Sequence, residues 1–288
     1  MYYSIYPKLR AIYSYLPEEE EIETLLSSSG VSDFKNRLKE LKIIKRFPLI
    51  DEDIEKHFNN LPFTLSKIVK DRLDGSPKEF FNHYKRIYEL KDIKSVLRRG
   101  KGHYILFLEK ENYTFSEIAD FLKIGFWEEG WVRGYSRYKD TKKLLDLEIS
   151  LDQYYYESLF NSSSKLPFSD RKETKDFIMR WIDITNRLWG YRLKHYYGMK
   201  TFEIRRFLIP EGSFYQNVEE IEEVSPATIK KVLFALCYKD FKLRIYKMRA
   251  ILAFFLLFEI QLKRLISIYN SKLLALNQER IKQLIGFG

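Results

Sequence analysis

The chain has 288 residues, with 50 Lys and Arg against 40 Asp and Glu, a formal net charge of +10. At 45% hydrophobic it carries enough apolar side chains to bury a core, which excludes general disorder. Its 12 glycines, 8 prolines and single cysteine favour helices over a turn-rich barrel or sandwich, and exclude an internal disulfide or a cysteine-based metal cage.

At the N-terminus, Tyr2, Tyr3 and Ile5 run almost directly into Glu18 to Glu21, so no charged-then-apolar targeting pattern forms. The segment Glu21-Ile22-Glu23-Thr24-Leu25-Leu26 then introduces a pattern that recurs along the chain. It returns as Glu117-Ile118-Ala119-Asp120-Phe121-Leu122, as Glu203-Ile204-Arg205-Arg206-Phe207-Leu208 and, loosely, as Arg280-Ile281-Lys282-Gln283-Leu284-Ile285. Apolar residues at i, i+3 and i+4 predict a short helix with one apolar stripe in each copy. Gly30, Gly125, Gly212 and Gly286 follow the copies and read as helix stops. Thr114 and Glu117 read as a capping box at the start of the second copy. Counted from Ile22, Ile118, Ile204 and Ile281, the copies lie 96, 86 and 77 residues apart.

Longer amphipathic segments precede three copies. They contain Ile87, Leu90, Ile93 and Leu97; Asp183-Ile184-Thr185-Asn186-Arg187-Leu188; and Glu259-Ile260-Gln261-Leu262-Lys263-Arg264. Tyr138-Lys139-Asp140 is echoed by Tyr238-Lys239-Asp240, with an acidic insertion, Glu219 to Glu223, lengthening the second spacing. Polar, turn-rich seams at 74–77 and 161–167 suggest three helical units of similar plan, 1–86, 87–175 and 176–288. The N- and C-terminal helices are free to pack together and make one unit discontinuous. The longest apolar run, Ala250 to Phe258, closes at Glu259, short of the roughly 20 residues that span a bilayer.

Chemistry-bearing motifs are scarce. His57, His83, His103 and His195 have no His or Cys at i+3 or i+4 and read as exposed or capping residues. No phosphate-cradling glycine loop, dinucleotide fingerprint or nucleophile elbow is written in the chain. Arg98-Arg99-Gly100-Lys101-Gly102-His103 could grip phosphates, and the 21 Tyr and 22 Phe could stack on bases. The same run also reads as a solvated helix end, and aromatics such as Phe254, Phe255 and Phe258 fall at core spacing. A positive field serves equally to dock an acidic protein or an anionic membrane surface.

Several stretches, in order, resemble the C subunit of the archaeal and bacterial A/V-type rotary ATPases, which is the counterpart of the d subunit of the eukaryotic vacuolar enzyme. Asp183, Asn186, Arg187 and Arg192 lead to Leu208-Ile209-Pro210-Glu211-Gly212, similar to a recurrent helix and loop of that family. Glu148, Leu151, Asp152 and Tyr155 match its Glu-x-x-Leu-Asp-x-x-Tyr helix; Tyr6 to Ala11 resembles its N-terminus and Glu259 to Lys272 its C-terminal helix. Ser95 and Leu262 depart from the repeat, which favours Asn there.

The resemblance implies an all-α protein of three similar subdomains around a pseudo-threefold axis, funnel-shaped with a central cavity. It implies a non-catalytic connector on the cytoplasmic face that seats the central-shaft subunits on the rotor-ring proteolipid subunits. Such a connector binds no cofactor, metal or nucleic acid and meets the membrane through the ring without spanning it. Under this reading Glu148, Asp152, Tyr155, Asp183, Asn186, Arg187, Pro210, Gly212 and Glu259 are structural motif positions. Two rivals from other classes are a helical nucleic-acid-binding protein using the basic surface, and an enzyme using scattered carboxylates.

Overall fold

A computed structural model of the chain describes residues 2–49, 53–99, 113–215 and 225–285. Its α-helices are α1 (Tyr6–Tyr13), α2 (Glu19–Leu26), α3 (Val31–Glu40), α4 (Lys42–Arg46), α5 (Ile54–Lys70), α6 (Gly75–Arg99) and α7 (Phe115–Leu122). They continue as α8 (Glu128–Thr141), α9 (Leu144–Ser162), α10 (Phe168–Tyr197), α11 (Thr201–Ile204), α12 (Pro226–Leu243), α13 (Met248–Leu273) and α14 (Gln278–Ile285). No strand occurs among the described residues. The protein is all-α.

The second of the recurrent short segments begins as its sequence predicts, and the others begin in similar ways. In three of them a glutamate three residues in accepts the first free backbone N–H: Glu21 from Glu18, Glu117 from Thr114 and Glu203 from Lys200, each at 2.9 Å. The Thr114 hydroxyl returns the bond by accepting from the Glu117 amide, completing the box. In the fourth, Asn277 caps α14 by accepting from the Arg280 N–H. Ile22, Leu25 and Leu26, Ile118 and Leu122, and Ile204, Phe207 and Leu208 are buried along the predicted stripe. Leu284 breaks the pattern, lying half exposed on α14.

The ends differ from expectation. Of the four predicted stops, Gly125 alone is described with the left-handed backbone, φ +72°, that favours glycine after a helix. Gly30 is extended and begins α3, and Gly212 serves close packing instead; Gly286 lies outside the described residues. The third copy tightens after Ile204 into a 3-10 turn, Arg205–Phe207, before the Pro210 segment leaves the helix.

The chain divides into two compact units: Met1–Arg72 with Pro226–Gly288, and Leu73–Ser225. In the first, α13 is buried without a break from Met248 to Glu259, as a helix apolar all round must be. It packs against α1, α2, α3, α5, α12 and α14. Distant chain segments are also pinned by polar bonds. Tyr6 donates to the Phe241 carbonyl at 2.5 Å, and Arg264 grips Glu19 with both terminal nitrogens. Lys272 donates to the carbonyls of Leu26 and Ser28, placing a cation at the C-terminal end of α2.

In the second unit α9 is central, flanked by α6 and α8. Gly130 and Gly134 let α8 approach closely: a Cβ on Gly134 would stand 2.9 Å from Leu147 Cδ1 and Ser150 Cβ, and 3.1 Å from the Leu147 backbone. The polar 161–167 stretch is the turn between α9 and α10 within this unit. Among the described residues no helix is long and apolar enough to cross a membrane.

Candidate functional site

The motif residues form two constellations on α9 and α10, and a third position apart. On α10, Asp183, Asn186 and Arg187 share one face because they stand at i, i+3 and i+4. That face holds the 208–214 segment as a strap. Buried Asn186 donates through Nδ2 to the Ile209 carbonyl at 2.9 Å and accepts at Oδ1 from the Ile209 N–H at 2.8 Å. Asp183 accepts from the Ser213 hydroxyl at 2.6 Å and from the Phe214 N–H at 2.8 Å. The Arg187 guanidinium lies 4.9 Å from the centre of the Phe214 ring.

Gly212 is required by this closeness. A Cβ there would fall 2.5 Å from Asp183 Oδ1 and 2.8 Å from Ile182 Cγ2, well inside contact distance. Pro210 is exposed and needs no amide partner. Gln153 of α9 donates to the Arg206 and Leu208 carbonyls. Beneath the strap, Phe207, Leu208 and Phe214 pack with Ile149, Leu193 and Ile204. Burial raises the Glu211 carboxyl, and Glu157 adds repulsion.

The second constellation joins α9 to α6. Glu148 and Asp152, one turn apart on α9, face Arg98 and Lys94, one turn apart on α6. Arg98 holds Glu148 through two bonds, from Nε at 2.6 Å and Nη2 at 2.5 Å, and Lys94 meets Asp152 at 2.5 Å. Glu148 raises the Arg98 guanidinium further above its usual range, whereas burial raises Asp152 despite the pull of Lys94. Tyr155, the next residue on that face, donates to the Tyr84 carbonyl at 3.1 Å. Glu259 stands in the other unit, on α13, with Lys263 at 3.9 Å.

Several sequence readings change here. Arg98 is half exposed yet committed to Glu148, so the basic run is not simply a solvated helix end. Positions 100–103 lie outside the described residues, as does the acidic insertion at 219–223. His83 is half-buried against Phe126, not an exposed or capping residue. The Tyr-Lys-Asp echo is not structurally equivalent: Asp140 is exposed, whereas Asp240 is buried in an ion pair with Arg249. Sequence reasoning misses Gln153, Arg249 and the pairing of Lys94 and Arg98 with α9. The matched four-residue spacing of opposite charges on α6 and α9 is the available signal.

What the two constellations do chemically is hold. Each carboxylate of Asp183, Glu148 and Asp152 is occupied by a cation or a backbone or hydroxyl donor. No group of three or more His, Cys, Asp or Glu among the described residues is placed to hold a metal ion. A cleft of 340 Å³ in the first unit is walled by Leu9, Leu65 and Val69, with Lys8, Arg46 and Arg72 among its lining; among the described residues no acid, histidine or cysteine lines it. Comparison with known families decides the affiliation: the profile described as ATP synthase (C/AC39) subunit matches residues 5–242. The chain belongs to the C/AC39 subunit family of A/V-type ATP synthases. A comparison with curated proteins gives no match. Both constellations fall inside the C/AC39 span, whereas the whole of α13, with Glu259, lies beyond it. As a member of the C/AC39 family the chain is a component of a rotary ATPase complex.

Proposed function

We propose that this C/AC39 family member is a non-catalytic central-stalk connector, which seats the shaft on the membrane rotor ring and transmits rotation for proton or sodium transport. The family match over residues 5–242 carries the reading. The bonding pattern supports it. A part that passes torque must resist shear between its helices, and close packing with ion pairs across helices provides that resistance. The Asp183–Asn186 strap and the α6–α9 ladder are fixtures of this kind. The proposal includes three similar units, 1–86, 87–175 and 176–288, around a pseudo-threefold axis with a central cavity for the shaft. It also includes a position on the cytoplasmic face, with rotor-ring proteolipids and shaft subunits as direct partners.

The test is recovery of partners through a tag on this chain, from native membranes dissolved in mild detergent. A small proteolipid and a long-helix shaft protein are the expected companions, and the isolated chain is expected to hydrolyse no ATP. Recovery of nucleic acid, or of nothing, from a fully soluble pool would overturn the reading and return the basic surface to first place.

A further inference from the structure

The outward face of the third short segment differs from its sister copies in a way the fold does not require. Aligned on the recurrent pattern, the outward positions are Glu20 and Thr24 in the first copy, Ser116 and Asp120 in the second, and Glu279 and Gln283 in the fourth. All six are exposed, as a solvated helix face should be. The third copy has Phe202 and Arg206 at those positions, with Arg205 beside them. Phe202 is 75% exposed although Ile204, Phe207 and Leu208 on the inner face complete the core contact. Just upstream, at the end of α10, Tyr196 and Tyr197 are 70% and 59% exposed.

The twelve residues 196–207 therefore form a corner of three projecting rings and three exposed cations, Lys200, Arg205 and Arg206. Gly198, with φ +63°, makes the turn between the two helices. The corner's only acid, Glu203, is turned back to accept from the Lys200 N–H. Arg205 and Arg206 lie over the rings of Tyr215 and Phe207, which hold their guanidiniums at the surface.

We propose that this corner is a lipid-docking surface that inserts Phe202 and the two tyrosines at the headgroup level of an anionic bilayer. Amphipathic and aromatic rings settle at membrane–water interfaces, and long basic side chains reach the phosphates from beside them. Anionic headgroups supply the complementary charge. A single-stranded nucleic acid is the weaker fit. It needs rings laid as stacking platforms along a basic groove, whereas these rings stand outward from a corner. The inference goes beyond the connector role, since it concerns lipid and not a protein partner.

The test uses the purified full chain without other subunits, so its result is independent of the partner recovery above. Flotation is measured with vesicles of phosphatidylcholine alone and with about one third phosphatidylglycerol. The chain is expected to float with the anionic vesicles only. Tyr196→Ser with Phe202→Ser, and separately Arg205→Gln with Arg206→Gln, are each expected to weaken flotation about tenfold. The matched surface change Lys39→Gln with Lys42→Gln is expected to leave it within about twofold. Thermal melting of each variant checks that the fold is kept. Absence of flotation, or an aromatic variant that floats like the parent, would overturn the proposal. So would corner-dependent retention of a labelled single-stranded oligonucleotide without vesicle binding, which would assign the corner to nucleic acid.

Discussion

At the scale of single residues, Asn186 carries the sharpest expectation. Its amide closes both hydrogen-bonding groups of Ile209 in a buried setting, so Asn186→Ala leaves a buried donor and acceptor unmatched. Urea unfolding is expected to show a loss of about 2–3 kcal/mol, whereas exposed Arg192→Ala should stay within about 0.5 kcal/mol. His83 sets a pH dependence. Burial first, then Arg86 and Lys165, push its imidazole below 6.5, while Glu79 pulls the other way. The folded protein thus binds this proton less well than the unfolded chain. The stability it contributes is complete above pH 6.5 and is lost as pH falls through the lowered folded value. Buried Glu89 acts oppositely: its carboxyl is raised above 4.5, so its contribution is complete below that pH and is lost on raising pH through the folded value. His83→Gln is therefore expected to flatten the decline in melting temperature between about pH 7 and 5.5. An unchanged profile would remove His83 as a cause of that decline.

At the scale of elements, the buried Asp240–Arg249 pair locks α12 to α13. Arg249→Met strands a carboxylate in the core and is expected to cost about 3–5 kcal/mol, or to prevent folding. Adding Asp240→Leu should recover most of that loss in equilibrium unfolding, because the desolvated charge is gone. This pair also marks where sequence reading stops. The stripes of Ile22, Ile118 and Ile204 and the Thr114–Glu117 box are legible because they depend on neighbours three and four residues away. Asp183 and Asn186 are legible only through resemblance to the family. Periodicity tells which face Glu148 and Asp152 occupy, but not which of many cationic helices will meet them. Asp140 and Asp240 look alike in sequence because the partner that distinguishes them, Arg249, sits on the following helix. Gly212 is misread for a related reason: a helix stop and a close approach both ask for glycine, and only the position of Asp183 separates them.

At the scale of the whole molecule, the proposed connector role requires attachment to a membrane complex without a spanning segment. Alkaline carbonate washing of membranes is therefore expected to release the chain to the supernatant, and retention in the pellet would contradict peripheral association. The division into a continuous unit and one assembled from both ends of the chain has a further consequence, which concerns time. Tyr6 waits for Phe241, Glu19 for Arg264, and the end of α2 for Lys272. During synthesis 203 residues separate Lys70, the end of α5, from Leu273, the end of α13, and at about 5–20 residues per second α1 to α5 are without a complete α13 for roughly 10–40 s. α2, α3 and α5 lack their cover from α13 through that interval, while residues 73–225 emerge as a compact unit. A nascent chain stalled near residue 225 is the species that needs a chaperone, and its unsatisfied surface is at the end made first.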